Sequence, residues 1–268
     1  MAKKGTRHTV TWSRSVGDIT LYATYRAEHS PAPDISLFCP APYGYAMTAL
    51  KTKPVAELPK PKLRGLIHLI MSPISLVAGL TLVAIADKLR GRITLGIFTL
   101  AAVTLFTCSA LYHRVNWKPK TKAVWRRIDH ANIPLLIAGT YTPFAIFLLD
   151  KNSAVILLSL VWSGAILTAI MRISWINAPR WLYVPLYIAL GWAAVIYLPE
   201  FWRHGGVAVF VLIAVGGLCY SAGGIIYAIK KPNISINWFG FHELFHALTA
   251  AAFLCHFVAA ILVVFQNK

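Results

Sequence analysis

His242 and His246 stand four residues apart where the last long apolar stretch of the chain opens, in Phe239–Gly240–Phe241–His242–Glu243–Leu244–Phe245–His246. On a helix that spacing separates two side chains by about 40° around the axis and roughly 6 Å along it, so both imidazoles reach one metal ion. Two histidines make half a site. The same residues spell HExxH, the zincin pattern in which the glutamate is the general base of a metalloprotease. Because the motif begins an apolar helix of membrane-spanning length, a soluble zincin is excluded. Only an intramembrane protease stays open on that reading, with Glu243 as base and Asp129 as a possible third ligand.

The elements that position these residues follow from composition. Of 268 residues 57% are hydrophobic and 13% charged, which marks an integral membrane protein. Continuous apolar runs near 66–86, 93–113, 128–149, 153–171, 181–199, 206–229 and 239–265 each approach the ~20 residues a helix needs to cross. The expectation is an all-α bundle of seven transmembrane helices over 61–268. A barrel would need short alternating segments instead. Twenty of the 26 Lys and Arg fall on one side of this arrangement and six on the other. The positive-inside rule then puts the N-terminus in the cytoplasm and the C-terminus outside, in a multi-pass protein of the cell membrane. The net charge of +17 is read as orientation and contact with anionic inner-leaflet headgroups, not as nucleic-acid binding.

Residues 1–60 are expected to form a poorly ordered cytoplasmic tail, crowded with proline and without the apolar core of a secretory signal. Met47 is a candidate true start, which would leave residues 1–46 outside the native protein. Cys39, Cys108, Cys219 and Cys255 show no CxxC pairing and read as small packing residues.

Topology makes the remaining polar residues informative. Asp129 opens the third span, Glu243, His242 and His246 open the seventh, and His113 closes the second, all at the cytoplasmic end. An ionisable group at mid-span is unfavourable by ~2.5–3.5 kcal/mol and usually faces a cavity or partner. Three histidines plus water make an open, catalytic type of zinc site. Asp129 would orient a histidine or take a proton from the activated water, and Ser109, one turn from His113, would hold a carbonyl or a bridging water. Singly, each has a plainer role: His113 complements a helix C-terminus and Asp129 an N-terminus. His68 lies just inside the first span, His130 reads as an interfacial histidine, and His256 as a core polar group or proton-path residue.

Ser109-xxx-His113, Arg127–Ile128–Asp129–His130 running into Ala138–Gly139–Thr140–Tyr141–Thr142–Pro143, and the final His242-xxx-His246 together resemble the haemolysin III branch of the PAQR family, relatives of the adiponectin and progestin receptors. The resemblance covers roughly residues 60–265. It implies seven helices, a cytoplasmic N-terminus, and Zn2+ near the inner face held by His113, His242 and His246, with Asp129 and Ser109 beside it. It also implies kinship with alkaline ceramidases in a proposed superfamily of zinc-dependent membrane hydrolases, and a part in membrane-lipid homeostasis. Glu243 stands where the receptor relatives carry Gln.

The leading expectation is a zinc-dependent hydrolase of a lipid amide or ester, with Asp129 and Ser109 catalytic. The alternatives are a membrane-state regulator with structural zinc, a pore-forming cytolysin, and the intramembrane protease.

Overall fold

The computed structural model describes residues 9–16, 19–26, 61–235 and 237–267. The chain divides into two compact units, 1–56 and 57–268. In the first, strands β1 (Thr9–Val16) and β2 (Ile19–Arg26) pair antiparallel, with Val16 opposite Ile19 and Thr9 opposite Arg26. No strand was expected in that stretch. Its Val10, Trp12 and Val16 alternate with Thr and Ser, a strand pattern that the proline-rich character of the wider segment obscures. Residues 27–60, with Cys39 and Met47, lie outside the described residues.

The second unit is helical, as apolar sequence in lipid requires, since a helix satisfies its backbone polar groups internally. Its helices are α1 (Leu66–Ala84), α2 (Leu89–Arg114), α3 (Pro119–Leu148), α4 (Lys151–Ser174), α5 (Arg180–Gly191), α6 (Leu198–Ile229) and α7 (Phe241–Gln266). Among the described residues six helical stretches are long and apolar enough to cross a membrane, with Arg180–Ile229 counted as one. The run expected over 181–199 is not one uniform helix. α5 ends after 12 residues at Gly191, and a 3-10 turn over Val195–Tyr197 leads into α6. α6 is itself broken at Gly206, whose φ of 75° is a left-handed conformation that glycine adopts without a Cβ penalty.

Sequence chemistry explains several helix ends. Pro119 opens α3, where its missing N–H is no loss. Asp150 caps α4, its Oδ1 accepting from the backbone N–H of Asn152 at 2.9 Å and Ser153 at 3.1 Å. α3 is the central helix and buries residues along most of its length, whereas α1 and α4 leave Leu80, Val77, Leu160 and Leu167 exposed, as lipid-facing helices do. The core between α2 and α7 is aromatic: the Phe253 ring lies 5.5 Å from Phe98 and 5.3 Å, edge-on, from Phe106.

α1 meets α2 through a glycine. A Cβ placed on Gly79 would sit 2.2 Å from Thr99 Cγ2. Close approach through small residues is how membrane helices gain van der Waals contact. Gly79→Ala is therefore expected to destabilise the bundle by about 1–3 kcal/mol, seen as a lowered thermal midpoint of the solubilised chain and partly restored by adding Thr99→Ala. An unchanged midpoint contradicts the contact.

Candidate metal centre

The start of α7 is built around Glu243. Its Oε2 accepts the backbone N–H of Gly240 at 2.8 Å, the reciprocal bond of a capping box, and its Oε1 takes a charged bond from Arg64 Nε. Asn233 Oδ1 accepts the N–H of Phe241 at 3.0 Å, so a second orphan donor of the helix end is satisfied. Glu243 is 1% exposed, and a buried carboxylate needs such partners. With both oxygens engaged, Glu243 turns toward Arg64 and the helix cap, away from the role of general base that HExxH assigns it.

The turn held this way presents His242 and His246 to His113, in the last turn of α2. His242 Nε2 and His113 Nε2 are 3.1 Å apart, and the ring centres of His246 lie 4.5 Å from His242 and 5.1 Å from His113. One ligand nitrogen from each falls within 4.8 Å of the others. In a tetrahedral site with metal–nitrogen bonds of about 2.0–2.1 Å the nitrogens stand about 3.3 Å apart, so small rotamer changes close the set. Nδ1 of His246 is buried without a hydrogen-bond partner. An orphaned imidazole nitrogen inside a cluster of three is accounted for by a metal ion and is costly without one. The three histidines fit a metal; imidazole nitrogen suits zinc, copper, iron or nickel.

Asp129 and Ser109 come to the same place. Asp129 Oδ2 lies 3.9 Å from His113 Nε2, and the Ser109 hydroxyl offers the Asp129 carboxyl a hydrogen bond. Ser109 is 2% exposed and Asp129 8%. All five residues expected at the site, contributed by α2, α3 and α7, are thus neighbours.

Other neighbours were not anticipated. The His68 ring stacks on His246 at 3.8 Å between centres and 6° between planes, with Phe106 edge-on at 5.1 Å. Both of its nitrogens are buried with no hydrogen-bond partner of ordinary geometry. Its lone place in an apolar span was the available signal. His130 is buried within the protein, its Nδ1 3.1 Å from Nη2 of Arg172, a side chain 1% exposed. Arginine only donates, so Nδ1 accepts and His130 carries its proton on Nε2. His256 sits deeper, its Nε2 3.2 Å from the carbonyl of Ile213.

A cavity of about 160 Å3 leads from this cluster. That is about ten times the ~10–15 Å3 one water needs. His68, Ser109, Asp129, His242 and His246 line its polar end, and Leu136, Phe144, Leu198 and Phe201 its far, apolar part. Tyr227 separates it from the bundle end, its ring 5.7 Å from that of His242.

Among known proteins, a family described as haemolysin-III related matches residues 56–257. The chain is 34% identical over 160 residues to the hemolysin-3 homolog of Bacillus subtilis (strain 168), covering 59% of this chain and 73% of that one. It is 30% identical over 167 residues to hemolysin-3 of Bacillus cereus, covering 61% and 76%.

Two outcomes follow from the geometry. His246→Ala should lose most of the bound metal, measured by elemental analysis of the purified full chain; unchanged content contradicts the site. Glu243→Gln should keep the metal but lose about 1–3 kcal/mol of stability, because the amide cannot match the carboxylate at both Arg64 and the cap. Metal loss without destabilisation would return Glu243 to the metal centre.

Proposed function

The chain belongs to the haemolysin-III-related family of multi-pass integral membrane proteins, and from that premise we propose that it is a zinc-dependent hydrolase of a lipid amide or ester in the cell membrane. The observation that carries the proposal is the position of His242, His246 and Asp129, with His113 beside them, on the wall of a largely apolar cavity. A lipid chain fits the apolar part and brings a carbonyl to the polar end.

Zinc is the choice because three imidazoles with a remaining open position are a catalytic zinc pattern. When bound, it supplies Lewis acidity to the carbonyl and lowers the pKa of a water toward about 7. The chain's own residues do the rest. Asp129, 3.9 Å from His113 Nε2, accepts the proton of the attacking water and delivers it to the leaving nitrogen or oxygen. Water adds across the acyl bond, giving a fatty acid and an amine or alcohol. Ser109 steers the Asp129 carboxyl by its hydrogen bond. The apolar walls exclude bulk water, which strengthens each electrostatic contact. The same walls speak against an aqueous pore.

We read the bundle as seven crossings with the N-terminus cytoplasmic. Three contacts support the separate crossing of residues 180–205: Tyr187 bonds the carbonyl of His130 in the first half of α3, Tyr141 bonds that of Gly191 further along, and His204 Nδ1 meets Leu148 at its end. The chain from 180 to 205 thus runs alongside α3. After Gly206 it returns, since Trp192 bonds Ser221 and Arg180 bonds the carbonyl of Tyr227.

Asp129→Asn tests the function. In the full chain reconstituted with acyl amides and esters, turnover should fall about a hundredfold or more while metal content holds. Chelation should abolish turnover and added zinc restore it. Retained turnover in Asp129→Asn overturns the assignment, and a chain that never hydrolyses acyl lipids but needs its metal for a cellular effect would be a regulator with a structural site.

A further inference from the structure

A second cleft lies at the same end of the bundle, beyond Tyr227. Arg126, Arg180 and Lys230 line it together with Asn177, and it shares two walls, Tyr183 and Tyr227, with the apolar cavity. None of its lining residues is acidic. Among the described residues, neither these three cations nor the buried Arg172 forms an ion pair with a carboxylate; Arg64, Arg203 and His113 take the acids.

Basic residues at a membrane surface often only reach outward to bulk headgroups. Here the charge is drawn inward. Arg180 donates Nη1 to the carbonyl of Tyr227 at 2.9 Å and lays its guanidinium 4.6 Å from the centre of the Tyr227 ring, whose neighbour on the cavity side is His242. Arg172 lies 4.0 Å from the ring centre of Tyr183, the other shared wall. Its Nε and Nη1 are buried and have no hydrogen-bond partner among the described residues. A buried guanidinium with two open donor nitrogens and no counter-charge is expensive, and like charges gathered on one cleft repel. An anion in the cleft relieves the repulsion among Arg126, Arg180 and Lys230, which line it, and supplies a counter-charge to Arg172 across the Tyr183 ring.

We propose that this cleft is the phosphate subsite of the lipid site, so that the ligand is an acyl lipid bearing a phosphate. The phosphate sits among Arg126, Arg180 and Lys230, and the chain passes Tyr183 and Tyr227 into the cavity. One aromatic ring then separates the phosphate-holding Arg180 from the metal-binding His242. The proposal rests on the lipid reading of the cavity but not on hydrolysis.

Binding by the detergent-solubilised full chain, measured by native mass spectrometry, compares dioleoyl phosphatidic acid with dioleoylglycerol, the same lipid without its phosphate. Phosphatidic acid should half-saturate the chain at a concentration about tenfold or more lower, as charge-assisted bonds to phosphate imply. Arg180→Gln with Lys230→Asn should remove that preference and leave dioleoylglycerol binding in place. Asparagine is chosen at Lys230 because it accepts that residue's left-handed backbone, φ 58°. Since Arg180 also braces Tyr227, Arg126→Gln with Lys230→Asn provides a second variant, which should reduce the preference severalfold. Equal binding of the two lipids, or a preference that survives both variants, overturns the subsite. Displacement of phosphatidic acid by inorganic phosphate down to the level of dioleoylglycerol would overturn the lipid assignment in favour of a free anion. A preserved preference in a chain that hydrolyses nothing would sustain the subsite and overturn the hydrolase reading instead.

Discussion

The contact between Arg64 and the buried Glu243 is the constraint on which the rest of the histidine cluster depends. It joins the approach to α1 to the first turn of α7, and its carboxylate lies in sequence between the two histidines of that turn. In a setting of low dielectric a lone carboxylate would be prohibitive. The cap at Gly240 and the guanidinium together make it tolerable and, by doing so, hold the helix start in one conformation. Further bonds lace the same region: the N–H of Lys62 meets the carbonyl of Asn237 at 2.9 Å, and its ammonium covers the Trp238 ring at 4.3 Å. Gly65 follows directly, with φ 75°, and a Cβ there would lie 2.6 Å from that of His113. The chain segment that pairs with Glu243 thus also packs against the third histidine.

Placed this way, the imidazoles stand at the junction of three helices and at the end of an apolar cavity. The arrangement gives each part a different physical task. The ion pair and cap hold α7, the aromatic stack of His68 on His246 limits ring rotation, and Asp129 with Ser109 adds a carboxyl whose ion-pairing neighbour among the described residues is the imidazole of His113, not a guanidinium or ammonium. A carboxyl beside an imidazole suits proton transfer better than one locked to a guanidinium. The two acids at this end differ in just that respect, and the roles proposed for them rest on it.

Much of this was legible in the sequence. The i, i+4 histidines, His113 and Asp129 could be brought to one depth because charge asymmetry and apolar run lengths give each residue a height in the membrane. Height is what hydropathy reports. Azimuth and partner identity are not, so the pairing of Glu243 with Arg64, 179 residues apart, had no local signal. The stacking of His68 and the burial of Arg172 on His130 were hidden for the same reason. The fifth run misled because composition cannot distinguish a uniform helix from one that ends at Gly191 and resumes through a 3-10 turn. In the N-terminal stretch, the prolines that begin at Pro31 colour residues 1–60 as irregular and mask the earlier alternation that pairs β1 with β2.

The proposed chemistry requires that His113, His242 and His246 together bind one zinc ion. X-ray absorption at the zinc edge on the purified full chain tests it most directly. The predicted result is one zinc per chain with three imidazole nitrogens at about 2.0–2.1 Å and a single oxygen completing the shell. A spectrum showing sulfur ligands, an oxygen-only shell, or no stoichiometric zinc would contradict it.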